Sequence, residues 1–229
     1  MAAASGEGPQ VKGKFSHELA AVKGDLVELA HLAGTAMEQS LQALLNQDPD
    51  LARRVITGDV AVNKLEESID GEVVRLIALF QPVAMDLRQL MAVDHIIAEL
   101  ERVGDSATNI AEEVLNLGHW PPQPLHARLV TMAQRVQEML RQSLDAFLAH
   151  DAALARQVCL ADADVDAMDQ AIIQDLLHEM IGTPEDIVPG QSQINIVRNL
   201  ERVGDHATNI AEQVVYMVEG ESIRHRCQG

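Results

Sequence analysis

Apolar residues recur every three or four positions along most of this chain, a spacing that places them on one face of an α-helix. In the first half, one series runs from Leu19 to Leu44, a second from Val62 to Phe80, and a third from Leu100 to Val114. Period-2 alternation and runs of β-branched residues are scarce, so no strand is predicted. The first half therefore predicts three long helices, which end near Asp48-Pro49, at Gln81-Pro82 and near Leu117.

The second half has the same pattern. Apolar series run from Leu129 to Phe147 and from Leu154 to Ile172. The segments Gly182-Thr183-Pro184 and Pro189-Gly190 contain helix-breaking residues. Both are predicted to interrupt the chain before a sixth helix, which ends near Gly220.

A repeated motif shows how the halves are related. Leu100 to Glu112 reads L-E-R-V-G-D-S-A-T-N-I-A-E, and Leu200 to Glu212 reads L-E-R-V-G-D-H-A-T-N-I-A-E. Twelve of these 13 positions are identical at an offset of 100 residues, which indicates an internal duplication. The predicted fold is therefore all-α, with two tandem three-helix bundles, six long helices, and near-antiparallel packing within each bundle.

Helix breakers also define the expected domain boundaries. Gly and Pro concentrate around residues 118–124, between the two halves. The expected organisation is a flexible N-terminal tail over residues 1–14, a first bundle over 15–118, a linker over 119–124, a second bundle over 125–220, and a C-terminal tail over 221–229.

Charge and composition exclude several classes of function. The chain has 17 Lys and Arg against 35 Asp and Glu, a net charge of −18, and only 2% aromatic residues. Nucleic-acid binding needs clustered positive charge and stacking platforms, so it is not expected. No long apolar run predicts a membrane span or a signal peptide, and the two cysteines form no motif. These features favour a cytoplasmic protein.

Acidic and amide side chains form stripes on four of the predicted helices. At about 100° per residue, each set falls on a narrow sector of its helix. The stripes comprise Glu101, Asp105, Asn109 and Glu112 on the third helix, Glu201, Asp205, Asn209 and Glu212 on the sixth, Asp59, Asn63, Glu66 and Asp70 on the second, and Asp162, Asp166 and Asp169 on the fifth.

A solvated surface is the ordinary explanation of such a stripe, and a row of metal ligands is the alternative. Like charges at these spacings repel, and the first half offers no matching basic stripe. The repeat keeps Asn109 and Asn209 as well as acids, and it keeps Gly104 and Gly204 in helix interiors, where glycine is costly. We therefore predict metal sites at the surface of each bundle. Oxygen ligands suit magnesium, calcium or manganese, and they also accept iron or zinc.

Nearly the whole chain, from about Phe15 to Glu219, resembles the PhoU family of phosphate-uptake regulators. The resemblance rests on the two E-R-V-G-D…N-I-A-E motifs, on V-N-K-L-E-E-S-I-D from Val62 to Asp70, and on Q-P-V-A-M-D-L-R from Gln81 to Arg88. It implies surface metal ions, in some members multinuclear clusters, held by Glu101 with Asp105 and by Glu201 with Asp205, with facing ligands from the second and fifth helices.

The resemblance also implies a function without catalysis. A PhoU-like adaptor damps the phosphate-starvation response by acting between the ATPase of a phosphate ABC transporter and a membrane sensor histidine kinase. It would meet the membrane only peripherally, through these partners. A homodimer is expected because cyclic dimers are the commonest oligomers.

Two positions depart from the family pattern, and two other functions also fit the sequence. Ile173 stands at the fourth position of the fifth-helix stripe, and Arg198 lies one turn before Glu201, so the second site is expected to differ from the first. The pairs Glu28-x-x-His31 and Asp175-x-x-His178 resemble the ligand pairs of a carboxylate-bridged di-metal oxidase or ferritin-like protein. A metal-free helical scaffold dimer is the other alternative.

Overall fold

The structure, a computed structural model, describes residues 9–121 and 124–223. Within these ranges it contains no strand, as predicted. The elements are α1 (Pro9–Asn46), α2 (Pro49–Phe80), α3 (Ala84–Leu117), α4 (Leu129–Ala149), α5 (Ala152–Gly182), a 3₁₀ turn (Pro184–Asp186) and α6 (Ile187–Glu219).

Local sequence explains where the helices start and stop. Asp48 caps α2 by accepting hydrogen bonds from the backbone N–H groups of Asp50 and Leu51, both at 3.0 Å. Asp151 caps α5 in the same way. Gln81 ends α2 in a left-handed conformation with φ of 47°, just before a proline that cannot continue the helix. The equivalent caps on α2 and α5 reflect the duplication.

Each half forms a three-helix bundle, which confirms the predicted fold class. The helices α1, α2 and α3 pack against one another, and so do α4, α5 and α6. Their apolar faces meet in a continuous core of aliphatic side chains with few aromatic rings. Ser40 and Ser143 occupy equivalent buried positions, and each donates a hydrogen bond of 2.8 Å to the carbonyl three residues earlier.

The bundles join along α3 and α6, which run antiparallel. Near one end Arg88 Nε donates to the carbonyl of Met217 at 3.2 Å. Farther along, Asn109 Nδ2 donates to Asn199 Oδ1 at 3.2 Å. Because α3 and α6 are equivalent in the repeat, the molecule has an approximate internal twofold arrangement about this contact.

Two boundaries differ from the sequence-based expectation. The helix α1 begins at Pro9, so residues 9–14 are helical and do not belong to a tail; residues 1–8 lie outside the described residues. Pro189-Gly190 does not break the chain, because it lies within the first turn of α6, where a proline costs no helical hydrogen bond. The middle of the predicted linker and the residues beyond 223 are also outside the described ranges.

Candidate functional site

The acids of α2 and α3 face each other across a groove that we call the first cleft. Gly104 of α3 sets its width: a Cβ placed on this glycine would lie 3.2 Å from Val62 Cγ1 and 3.3 Å from Asp59 Oδ1. The glycine thus allows α2 to approach α3 closely. The first cleft comprises Asp59, Asn63, Glu66 and Asp70 from α2, with Asp94, Glu101 and Asp105 from α3.

Carboxylates in the first cleft crowd one another. Burial raises the pKa of Glu101, and the negative charges of Asp105, Glu66 and Asp59 raise it further. Burial and the charge of Asp59 likewise raise the pKa of Asp105. Among the described residues, no Lys, Arg or His forms an ion pair with any acid of this cleft. The cleft is therefore a strip of negative charge on which Arg102, His95 and His206 act only from beyond ion-pair distance.

Two oxygens of the first cleft are buried without a hydrogen-bond partner among the described residues. Asp59 accepts from Asn63 Nδ2 through Oδ2 at 2.9 Å, but Asp59 Oδ1 and Asn63 Oδ1 have no donor. Thr108 Oγ1, one turn beyond Gly104, is also buried without a partner. Buried polar atoms almost always have partners, so this group of oxygens is suited to a bound cation or ordered water.

One acid of this cleft, Asp94, lies outside the stripes predicted from the sequence. Asp94 lies two helical turns before Glu101, which places both on the same face of α3. Burial raises the pKa of Asp94, and the charge of Asp70 and a hydrogen bond with Asp70 act in the same direction. Extending the stripe by two turns would have found it.

Some predicted ligands lie elsewhere. Asn109 donates to Asn199, and Asn209 Nδ2 donates to Glu99 Oε2 at 3.1 Å, so both asparagines participate in the contact between the bundles. Glu112 is exposed on the turn after Asn109. The third-helix stripe is therefore divided: its first two members face α2, and Asn109 faces α6.

The acids of α5 and α6 form an equivalent groove, the second cleft. A Cβ on Gly204 would lie 3.3 Å from Val165 Cγ1 and 3.5 Å from Asp162 Oδ1, which matches the surroundings of Gly104. The second cleft comprises Asp162, Asp166 and Asp169 from α5, with Arg198, Glu201, Asp205 and Glu212 from α6.

Asp162 is the most strongly perturbed acid of the second cleft. It is only 7% exposed. Burial, together with the charges of Asp166 and Asp205, raises the pKa of Asp162 to about 6. Burial and the charge of Asp205 also raise the pKa of Glu201.

The second cleft differs from the first in containing a basic residue. Arg198 Nη1 lies 2.8 Å from Asp169 Oδ2, whereas Asp169 Oδ1 is buried without a partner. Ile173 lines this end of the cleft, at the position equivalent to Asp70. The opening there has a volume of about 440 Å³ and is bounded by Asp166, Asp169, Gln170, Ile173, Gln174, Arg198 and Glu201.

The clefts have suitable donors for a hard cation, but these donors do not converge on one point. Within residues 9–121 and 124–223, no three His, Cys, Asp or Glu side chains are placed to hold one ion. The carboxylates extend along each groove, and many of them are exposed or half-buried. Binding an ion therefore requires side-chain rotations, which exposed side chains make within nanoseconds.

The two Glu/Asp-x-x-His pairs do not form a di-metal core. Glu28 and His31 are exposed on α1, in the first bundle. In the second bundle Asp175 pairs with His126 at 3.3 Å, and His178 Nδ1 lies 2.8 Å from the carbonyl of Gln174. Pairs on the surfaces of different bundles cannot enclose a common metal pair, so the oxidase alternative has no structural support.

No helix among the described residues is long and apolar enough to cross a membrane.

Comparison with known proteins identifies close relatives. The profile of the PhoU domain matches residues 26–114 and 129–214, one match in each bundle. A "phosphate-specific transport system accessory protein PhoU homolog" from Pseudomonas putida is 35% identical over 94% of this chain and 84% of its own length. The Escherichia coli K12 protein of the same name, without "homolog", is 35% identical over 94% of this chain and 89% of its own.

Solved structures agree with these matches. The crystal structure of PhoU from Pseudomonas aeruginosa superposes with a TM-score of 0.88 at 35% identity, covering 90% of this chain and all of its own. The phosphate transport system regulatory protein PhoU from Streptococcus pneumoniae gives a TM-score of 0.86 at 30% identity, covering 91% of this chain and 98% of its own.

Proposed function

The chain belongs to the PhoU family, and from this membership we propose that it is an accessory protein of a phosphate-specific transport system that restrains phosphate uptake and the starvation response. The observation that carries the proposal is the family match in both bundles, at the same positions as the duplicated helices. Curated relatives with transport-accessory names align over more than nine-tenths of the chain, which supports a shared role.

We further propose that the protein acts as a cytoplasmic adaptor without catalysis. Its partners would be the ATPase subunit of a phosphate ABC transporter and a sensor histidine kinase, and it would reach the membrane only through them. A net charge of −18 suits it to basic partner surfaces, with fast and salt-sensitive association. A homodimer is part of this proposal, and light scattering on the purified protein tests it.

Metal binding is the third part of the proposal. In the first cleft, Asp59, Glu66, Glu101 and Asp105 would hold a divalent cation, with the buried oxygen of Asn63 as a neutral donor. Such an ion supplies positive charge where carboxylates now repel one another. The protein's own part is to hold α2 and α3 close through Gly104 and to present a surface whose charge depends on the ion.

Complementation tests the transport role. The gene is expressed in a bacterium that lacks its own accessory protein, and phosphate uptake and a phosphate-starvation reporter are measured in high phosphate. We expect the reporter to be repressed. A reporter that stays fully induced, with the protein folded and abundant, contradicts the proposed role.

Separate retention experiments test the partners. The tagged full chain is mixed with the purified transporter ATPase subunit and, independently, with the cytoplasmic part of the sensor kinase. We expect both to be retained, with less retention as salt is raised. Failure to retain either protein at low salt removes that protein from the proposal.

Elemental analysis tests the metal. The full chain is purified without chelator beside the double variant Glu101→Ala/Asp105→Ala. We expect the variant to hold less metal, because it lacks two carboxylates of the first cleft. Equal metal content in both proteins means that the first cleft is not the site.

A further inference from the structure

The two clefts share one framework but differ in charge, and we propose that Arg198 is the built-in counter-ion of the second cleft, so that tight divalent-cation binding is confined to the first. This inference rests on the proposed metal binding, and it gives the two bundles different roles. A cation would govern the surface of the first bundle, whereas the second would present a nearly constant surface.

The framework is the same in both bundles. Gly104 and Gly204 each lie against a valine methyl and an aspartate oxygen of the neighbouring helix, at distances that agree within 0.2 Å. This equivalence aligns α2 with α5 at an offset of 103 residues, and the repeat aligns α3 with α6 at 100. Each position in one cleft therefore has a defined counterpart in the other.

The charges at these counterparts differ at four positions. Asp70 and Asp94, whose like charges act on each other in the first cleft, correspond to Ile173 and Ile194. Arg198 corresponds to Ala98, and its guanidinium lies 2.8 Å from Asp169. Asn63 corresponds to Asp166, so the second cleft has one acid that the first lacks. The first cleft thus has two acids where the second has apolar side chains, whereas the second has one extra acid together with a cation.

The location of Arg198 makes it an effective competitor. The side chain of Asp169 is 4% exposed, so water does not screen its charge well. Its Oδ2 is occupied by Arg198, and its Oδ1 is buried without a partner. A cation held by Asp169 or Glu201 must either displace the guanidinium from a nearly buried carboxylate or bind beside its positive charge, which acts on both acids. Both alternatives cost affinity.

Binding of Mn²⁺ to the metal-free full chain tests the inference, with calorimetry and dialysis as readouts. We expect the wild type to show one tight class of sites, which Glu101→Ala/Asp105→Ala removes. The triple variant that also carries Arg198→Ala should bind Mn²⁺ about tenfold more tightly than the double variant does. The reason is that the cation no longer has to break the charged hydrogen bond between Arg198 and Asp169.

Two variants serve as controls. Arg202→Ala removes the same charge from an exposed position of the same helix, outside the second cleft, and should not restore binding. The reciprocal change Ala98→Arg places a guanidinium opposite Glu66 and should weaken binding at the first cleft about tenfold. Circular dichroism confirms that each variant is folded.

The results distinguish this inference from the proposed function. If Arg198→Ala and Arg202→Ala act alike, or if the wild type has two equal tight sites, the inference is wrong and metal binding stands. If no variant binds Mn²⁺, the inference and the metal part of the proposed function both fail. Neither result bears on complementation of phosphate regulation, which is measured separately.

Discussion

Asp162 shows how a single ionised acid in a cleft lowers the stability of the folded protein. It is 93% buried, since its exposure is 7%, and it faces carboxylates from both α5 and α6. Burial and like charge raise its pKa to about 6, so at neutral pH its ionisation opposes folding. Such a residue is tolerated because the aliphatic core beneath it supplies the stability.

The metal-free protein should be more stable at pH 5 than at pH 7.5. Asp162 has a pKa of about 6 when folded and about 3.8 when unfolded, so the folded state binds more protons between these values. The free energy of unfolding therefore falls as pH rises through this window. At pH 7.5, Asp162→Asn should raise that free energy by up to roughly 3 kcal/mol and flatten its pH dependence.

Urea denaturation with a chelator at several pH values measures this effect. Asp164→Asn is the matched control on α5, because Asp164 is 65% exposed and pairs with Arg135. It should change stability by less than about 1 kcal/mol. Loss of stability in Asp162→Asn at pH 7.5 would show that this carboxylate is favourably paired.

For single residues, the sequence alone predicts which face of its helix an acid lies on. It does not predict which other helix that face packs against. Helical periodicity predicts that Glu101 and Asp105 lie on the same face of α3, and both lie in the first cleft. It also grouped Asn109 with them, although a small angular difference turns Asn109 toward α6. Periodicity describes one helix, whereas a ligand set depends on which helix packs against each sector.

The element that sets the width of the first cleft is the α2–α3 pair, and its closest approach is at Gly104. The surroundings of this glycine explain why a costly residue is found in the middle of a helix. A methyl group there would contact Val62, whose β-branched side chain has little freedom to move. Gly71, in α2, has no such neighbour.

Two glycine-to-alanine substitutions should therefore have opposite effects. Gly71→Ala should stabilise the protein by roughly 0.5–1 kcal/mol, because alanine favours the helix and the site is open. Gly104→Ala should destabilise it by about 1 kcal/mol, since crowding against Val62 outweighs the same gain. Thermal denaturation of the pair measures both. Stabilisation by Gly104→Ala would show that α2 shifts freely.

A partly buried acid, Glu99, lies at the α3–α6 contact. Glu99 is 13% exposed at its side chain and lies 2.7 Å from His206 Nδ1. It also accepts from Arg102 at 2.7 Å and from Asn209 at 3.1 Å. His206 is the one position at which the 13-residue repeats differ, because its counterpart is Ser106. The duplication has thus diverged where the bundles meet.

Glu99→Ala should cost about 2 kcal/mol of unfolding free energy, because it removes the charged acceptor that His206 and Asn209 share between the bundles. Glu138→Ala is the control, since Glu138 is a more exposed acid that binds Arg141 on α4. That change should cost less than about 1 kcal/mol. Equal losses in the two variants, measured by urea denaturation, would mean that the inter-bundle contact contributes nothing specific.

For the whole molecule, the fold followed from the sequence because helical period, caps and duplication agree with one another. The helix ends next to Asp48-Pro49 and at Gln81-Pro82 lie where the sequence predicts them. The predicted break at Pro189 is wrong, because a proline in a first turn and a proline that breaks a helix look alike in sequence. The packing of α3 on α6 had no local signal, since it depends on the match between two distant surfaces.

The net charge of the whole molecule predicts how salt changes its thermal stability. With a charge of −18, the metal-free chain repels itself, and the Debye length falls from about 30 Å at 0.01 M to about 8 Å at 0.15 M ionic strength. NaCl should therefore raise the thermal midpoint of the metal-free protein across this range. Screening of this kind acts on all exposed charges and does not depend on the identity of the cation.

Site binding should add to screening, and the two can be separated. At a constant low ionic strength, replacing NaCl with MnCl₂ should raise the midpoint further, because a ligand that binds only the folded state stabilises it. Glu101→Ala/Asp105→Ala should keep the response to NaCl and lose most of the extra response to MnCl₂. If the two salts act equally on the wild type, the acidic clefts are only solvated surfaces, and the charge of −18 serves partner binding alone.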